Sequence, residues 1–417
     1  MTGKLVRSMG MLIREYRFNP VVLKEAIQQK IAPLKIHYTN NAKKKVNIII
    51  PEINYQTFYG GYVAKFSLIK KLVQADYAVR VLIIDRCDID YKLWQELVFN
   101  KYDGLKDILG KLEIEYCFDR NRTVKMNPDD TIIATTWWTA HVANTAIEGL
   151  NKGKFLYLIQ EYEPYTFVMG AYYALAQQSY SFPHVALFSS NFLKDFFKMN
   201  QIGIYGNGSV EESESMCFEN AIFRFDVSKN RMEKKKSKKL LFYARPEAHA
   251  SRNMFELGYC ALCEAIENGY FHEKWDFYGI GSNYRGDIPL SLNKVLKMMG
   301  KVDLQTYNKI MPEYDIGLAL MYTPHPSLLP LEMAAAGQVV VTNSCMNKTR
   351  EQMEALSQNI ICSEPTLEGI TNSLSKAVRM SNDVDARLAG TKVKWAFNWN
   401  DSFNESIMEN IKKFIDG

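Results

Sequence analysis

Pro326-Ser327-Leu328-Leu329-Pro330-Leu331-Glu332-Met333-Ala334-Ala335-Ala336-Gly337, followed by the apolar run Gln338-Val339-Val340-Val341, is the stretch whose reading decides the fold. Ser327 stands where a cap is wanted, Pro330 opens a short Ala-rich helix, Gly337 closes it, and the apolar run is a buried strand. A helix wedged between a loop and a buried strand belongs to an α/β chain. Its opening turn carries free backbone N–H groups and one carboxylate. That suits a nucleotide diphosphate, because the amides attract phosphate while Glu332 accepts a sugar hydroxyl. Taken alone, the same residues also make a plain capped helix in which Glu332 only favours the N-terminus.

Outward from this stretch, the chain asks for two domains. Its 417 residues exceed what one core organises, and 47% apolar with 23% charged residues is the balance of a soluble globular protein. The net charge of +5 is spread in clusters, and basic and aromatic residues do not interleave on one face, so a nucleic-acid partner is not expected. Seven cysteines show no paired spacing except Cys260 and Cys263, which read as core packing on a helix. No disulfide is expected, and the odd count suits a reducing compartment. Residues 1–18 alternate charged and apolar positions without the apolar core of a secretion signal, and no run reaches membrane-spanning length. The expected location is the cytoplasm.

Residues 1–45 read as a basic, partly helical arm ending in Lys43-Lys44-Lys45. It is either a solvated extension packed on the first domain or a segment attracted to an acidic membrane surface. A strand over 46–50, a helix over 61–75 and a strand over 79–85 make a βαβ unit, and strands at 131–135, 155–160 and 185–189 continue it. The first domain thus covers 46–228. The composition breaks between 222 and 239, where Glu233-Lys234-Lys235-Lys236-Ser237-Lys238-Lys239 runs into the strand Leu240-Leu241-Phe242-Tyr243. A second alternating set follows over 229–390: a helix at 254–268 and strands at 275–278, 316–320 and 339–341. Residues 391–417 hold Trp395-Ala396-Phe397-Asn398-Trp399 and an amphipathic stretch at 401–415. Two parallel α/β units leave a cleft between them, with ligands at the carboxyl ends of strands.

The candidate site residues sit at such ends. Gly60-Gly61, at the first strand-to-helix transition, lets the backbone approach a bulky anion, or is simply a turn. It is neither a spaced dinucleotide fingerprint nor a Walker loop. Arg245 and Arg252 flank the loop after the first strand of the second half, and Lys301 follows in Gly300-Lys301-Val302. Three such cations neutralise a leaving diphosphate without a metal, although each alone reads as a surface charge. Gly279 and Gly281, after the 275–278 strand, permit a nucleoside against the main chain. In the first half, Trp137-Trp138 and Glu161-Tyr162-Glu163 follow strands. Aromatic faces and carboxylates there suit a sugar acceptor, and Glu161 or Glu163 could take a proton from its hydroxyl, or serve in structural ion pairs. Asp88-Ile89-Asp90 spells an acidic metal-binding pair but reads as a solvated turn, and the six histidines show no metal spacing. His325 alone lies near the proposed site.

Together these residues resemble retaining GT-B glycosyltransferases over most of residues 46–417. Tyr157-Leu158-Ile159-Gln160-Glu161-Tyr162-Glu163-Pro164 and Tyr243-Ala244-Arg245-Pro246 are similar to the bacterial rhamnosyltransferases that build S-layer-type cell-surface glycans. The resemblance implies two Rossmann-like domains facing across a cleft, with the C-terminal helix returning to the first. It implies transfer of L-rhamnose from dTDP-β-L-rhamnose, with retention, to a hydroxyl of a growing, lipid-linked oligosaccharide, at the inner membrane face. No cofactor and no metal are implied. Arg252, Lys301, Glu161 and Glu163 would act in catalysis. Gly60, Gly61, Arg245, Gly279, Gly281, Val302, His325, Ser327, Leu328, Leu329 and Glu332 would hold the donor with Arg252 and Lys301. Trp137, Trp138 and Tyr162 would hold the acceptor. The sequence departs from the family at Pro324, where a first glutamate usually precedes Glu332 by eight positions, so His325 or the backbone around Ser327 would meet the sugar instead. Another nucleotide sugar, a sugar-nucleotide epimerase and a noncatalytic sugar-nucleotide binder are the alternatives. The epimerase would form product with no acceptor, and the binder would show neither transfer nor slow donor hydrolysis.

Overall fold

The structure is a computed structural model, and it describes residues 20–53, 60–87, 92, 96, 105–208, 210–235, 237–272 and 274–417. Val46–Ile50, Val79–Ile83, Phe155–Ile159 and His184–Phe188 bury every side chain, the pattern of strands covered on both faces. Numbered in chain order, the first half contributes β1 (Lys35–Tyr38), β2 (Val46–Ile50), β3 (Val79–Ile83), β4 (Leu112–Tyr116), β5 (Thr123–Met126), β6 (Thr131–Ala134), β7 (Phe155–Ile159), β8 (His184–Phe188) and β9 (Ser215–Cys217). Seven of them form a parallel sheet in the order β4-β3-β2-β6-β7-β8-β9, and β1 pairs with β5 beside it. The second half contributes β10 (Lys238–Ala244), β11 (Trp275–Gly281), β12 (Arg285–Pro289), β13 (Val295–Met299), β14 (Ile316–Leu318), β15 (Val339–Asn343) and β16 (Ile360–Ser363). Their order is β12-β13-β11-β10-β14-β15-β16, parallel except where β12 turns back on β13.

Both sheets run outward from their first strand and then reverse, so each has a switch point: between β2 and β6, and between β10 and β14. Loops leaving those strand ends are where such folds take ligands. The opposite edges are stapled alike. Asp130, just before β6, accepts from the Lys45 amide at 2.7 Å and from Asn47 at 2.9 Å. Asp315, just before β14, accepts from the Lys239 amide at 3.0 Å and from Arg387 at 3.0 Å, with Lys235 at 3.1 Å. The chain ends in helices Trp399–Ser402 and Glu405–Asp416; Phe403 between them and Met408, Ile411 and Ile415 of the second are buried in the core of the first domain. The returning C-terminal helix is thus part of the GT-B architecture seen here.

Several sequence expectations shift. The helix of the opening stretch is Leu329–Ala335 with Leu328 at its N-cap, so Ser327 does not cap it; Ser327 takes a left-handed φ of 64° and turns the chain instead. Gly279 and Gly281 lie inside β11 rather than after it. A side chain at Gly279 would strike the Met298 sulfur at 2.2 Å and one at Gly281 the Tyr243 ring at 2.4 Å, so packing accounts for both. Cys260 is exposed rather than core-packed, because it lies on the outer face of helix Phe255–Glu267; all seven cysteines are free. The 401–415 stretch breaks into two helices, where Asn404 caps the second. Of residues 1–45, those described are tied to the first domain: Leu34 is buried, β1 pairs with β5, and Lys30 meets Asp85 at 2.6 Å. Residues 1–18 and the Asp88-Ile89-Asp90 triplet lie outside the described residues.

Candidate active site

Between the two switch points lies a cavity of about 720 Å³. From the first domain come Gly60, Val63 and Ser67; from the second come Tyr243, Val302, Tyr307, Ser327, Leu328, Leu329 and Glu332; and residues 397–400 of the returning segment close it. Gly60 has a φ of 43° and open space around it, at the start of helix Gly61–Gln74. That conformation favours glycine, and it brings bare backbone to the cavity wall.

Glu332 is only 8% exposed. Its carboxylate accepts the Tyr307 hydroxyl at 2.5 Å and the Phe223 amide, while burial pushes its pKa up to about 7. Tyr307 and Phe223 gave no sequence signal, because each acts on Glu332 from a distant part of the chain. Leu328 and Leu329 line the cavity beside it, but the Ser327 amide is already committed: it donates to His325 Nδ1 at 3.1 Å.

The cations divide. Arg252 Nη1 donates to the His249 carbonyl at 3.4 Å, and its charge acts on both Glu161 and His325. Arg245 lies over the Tyr243 ring, 5.9 Å from its centre, and bonds His249 at 3.1 Å. Among the described residues both guanidinium Nε atoms are buried without a hydrogen-bond partner, although Arg245 Nε lies 4.0 Å from a Glu247 carboxylate oxygen. Lys301 is exposed, and it is its neighbour Val302 that reaches the cavity wall.

Glu161 and Glu163 follow β7 and face different partners. Burial raises each carboxyl to about 7. Glu161 looks across the cleft to Arg252, Lys348 and the Thr323 hydroxyl of the second domain. Glu163 accepts from the Trp137 amide at the start of helix Trp137–Ala146 and lies near the buried Lys65, whose own pKa burial lowers to about 8. Trp137 is buried in a ring cluster with Trp138, His141, Phe167 and Tyr172. The Tyr162 ring packs among Tyr165, Tyr180, Phe196 and Phe197, and its hydroxyl bonds Gln177, so it supports the loop from within. Trp138 is half-buried, with the Lys30 ammonium 4.4 Å from its ring centre.

Lys65 and Lys348 escaped the sequence reading, since one lysine among the three of helix Gly61–Gln74, or one in a loop, carries no pattern. Among the described residues no three His, Cys, Asp or Glu side chains converge as a metal site would require. Nor is any helix there long and apolar enough to cross a membrane.

This architecture has solved counterparts. HepE of Anabaena, in complex with UDP and glucose, superposes with a TM-score of 0.57 at 12% identity, over 89% of this chain and 99% of that one. WaaG, a glycosyltransferase involved in lipopolysaccharide biosynthesis, superposes with a TM-score of 0.50 at 13% identity, over 89% of this chain and all of WaaG. At such identities the likeness is one of fold, and the fold is GT-B. Two family models, described as WsaF, N-terminal domain, and WsaF, C-terminal domain, match residues 45–191 and 238–375, well over half of the chain. The chain belongs to the WsaF family. The O-antigen biosynthesis protein RfbC of Myxococcus xanthus is 30% identical over 259 residues, which are 60% of this chain but 18% of RfbC, so the chain spans less than a fifth of that relative.

Proposed function

We propose that this chain is a glycosyltransferase of polysaccharide biosynthesis that moves L-rhamnose from dTDP-β-L-rhamnose to a hydroxyl of a growing S-layer-type glycan, with retention. The observation that carries the reading is the interdomain cavity, where the Gly60 backbone faces Glu332 in a chain of the WsaF family. The nucleotide lies against the second domain, with a ribose hydroxyl on Glu332. In this reading Arg252, Arg245 and Lys301 would meet the diphosphate. Negative charge grows on the leaving diphosphate along the reaction, so fixed cations lower the barrier more than they tighten ground-state binding. Glu161, with a carboxyl at about 7, is the protein group placed to take the acceptor proton.

The acceptor enters along the first domain, over the loop carrying Glu163 and past Trp138 on the neighbouring helix. Beyond Phe167 that loop exposes Val168 and Met169, 90% and 87% accessible, which supports an approach from a lipid-linked acceptor at a membrane surface. Three cations leave no call for a metal, so transfer should survive EDTA; abolition by EDTA with rescue by manganese would overturn that part. The test of the whole is incubation of the purified chain with dTDP-L-rhamnose and an oligosaccharide acceptor. Release of dTDP with a rhamnosylated product is expected, and saturable binding with neither transfer nor donor hydrolysis would favour a noncatalytic binder.

A further inference from the structure

One group of polar residues beside the cavity has more capacity than its internal bonds use. Lys348 is fully buried, in the tight turn after β15 closed by the Cys345 and Lys348 backbones at 2.9 and 3.0 Å. Its ammonium donates to the Met321 carbonyl at 2.7 Å. An ammonium has three hydrogens, and no second bond is made among the described residues. His325 is 6% exposed, and because its Nδ1 accepts the Ser327 amide at 3.1 Å, its proton is on Nε2. That Nε2 is buried and has no hydrogen-bond partner among the described residues. An orphaned donor of this kind costs stability unless something outside the protein meets it.

The two donors share a neighbourhood. The charges of Lys348 and Arg252 both act on the His325 ring and on Glu161, which the Thr323 hydroxyl also meets. Three residues of the second domain, Arg252, Lys348 and Thr323, thus confront one carboxylate of the first, and two of them also face the His325 ring. The group adjoins the nucleotide-sized cavity through Ser327, which lines the cavity wall and bonds His325. A ligand there would find hydrogen-bond donors on one side and an acceptor on the other, the demand of a sugar ring with adjacent hydroxyls. An apolar ligand would leave Nε2 unpaired, and a second phosphate would meet Glu161.

We propose that Lys348 and the Nε2–H of His325 form the subsite that reads hydroxyls of the transferred sugar, opposite Glu161. This rests on the proposed nucleotide-sugar chemistry and adds Lys348 as a specificity-determining residue. The bland competitor is that Lys348 only pins the Met321 carbonyl, and that Nε2 is an idle defect.

Two variants separate these. His325→Asn keeps an acceptor for the Ser327 amide and withdraws the distal donor; Lys348→Met keeps length and removes all three donors. Calorimetric affinities for dTDP and dTDP-L-rhamnose are measured for each, with a melting curve as the control for folding. Wild type should bind the sugar-bearing nucleotide about tenfold more tightly than dTDP, the worth of a charge-assisted hydrogen bond. Each variant should bring that ratio near one while holding dTDP affinity within a few-fold. A lowered melting temperature with the ratio intact would mean Lys348 is merely structural and would overturn the proposal, as would a wild-type ratio of one. If Lys348→Met does not fold, His325→Asn decides alone. Wild type that binds neither nucleotide refutes the functional reading itself, whereas normal binding with an unchanged ratio in the variants refutes only the subsite.

Discussion

Glu332 meets Tyr307 and the Phe223 amide on the protein side, and the cavity on the other. Its replacement by Ala should weaken donor binding by about 1.5–3 kcal/mol, the worth of a hydrogen bond to a charged group, read by calorimetry. Arg252→Ala should instead lower the single-turnover rate about 10²-fold with little change in donor affinity, because its task grows toward the transition state; a raised dissociation constant with an intact rate would contradict the leaving-group role. Glu161, Glu163 and Glu332 are each raised from 4.5 to about 7, so these three carboxyls hold more protons in the folded chain than in the unfolded chain across that window, whereas His184 and His325, lowered by burial from 6.5 to about 4 and about 3, hold fewer. The carboxyl contribution to stability in the absence of ligand should therefore fall as pH rises from about 4.5 to about 7 and level off above, against an opposing rise from the histidines, and it is read as the difference between wild type and a carboxyl variant. Glu332→Gln should flatten part of that slope, and melting profiles parallel to wild type would rule the assignment out. At this scale the sequence exposes chemistry that sits beside a glycine or proline, as Gly60 and Glu332 do. It hides what arrives from afar: Lys348 bonds the Met321 carbonyl from 27 positions along the chain, and Lys65 faces Glu163 from a helix whose other lysines, Lys70 and Lys71, give no hint of it.

The two aspartates that precede β6 and β14 hold the back edge of each sheet, so that the loops at the front edge can be irregular. Asp315 is the sharper test, since Arg387 beside it is also buried and bonds the Gly337 carbonyl at 2.9 Å, at the end of the Glu332 helix. Asp315→Ala leaves that guanidinium uncompensated and should cost about 3–5 kcal/mol in a denaturant melt. A loss below about 1 kcal/mol would mean that the staple is not what holds this edge. Elements with every residue buried were legible as apolar runs, β7 without a break and β2 interrupted only by Asn47. β4 and β12 were not, for their residues lie at sheet margins where burial is partial and the apolar pattern dissolves. Gly279 and Gly281 misled for a related reason: glycine marks a close approach, and here what approaches is Met298 and Tyr243 rather than a ligand.

Across the whole molecule, the returning helix Glu405–Asp416 makes the first domain depend on the last residues of the chain. Ile411→Ala should destabilise by about 2–5 kcal/mol through the cavity it leaves, and the loss should appear as earlier exposure of first-domain amides in hydrogen exchange. Uniform exposure of both domains would show them to unfold as one. The two-domain plan was readable because alternating apolar runs repeat on either side of the charged break near residue 236. The cross-cleft meeting of Glu161 with Arg252 and Lys348 was not, since no local pattern encodes how two domains face. That meeting is central to the account, which places a nucleotide sugar between the domains. The most direct test is a calorimetric screen of dTDP, UDP and GDP sugars, with thymidine as control, on wild type and Glu332→Ala. The account predicts that dTDP-L-rhamnose binds best, that thymidine binds far more weakly for want of phosphates, and that Glu332→Ala weakens the former. Equal binding of thymidine and dTDP, or no binding of any sugar nucleotide, would contradict it.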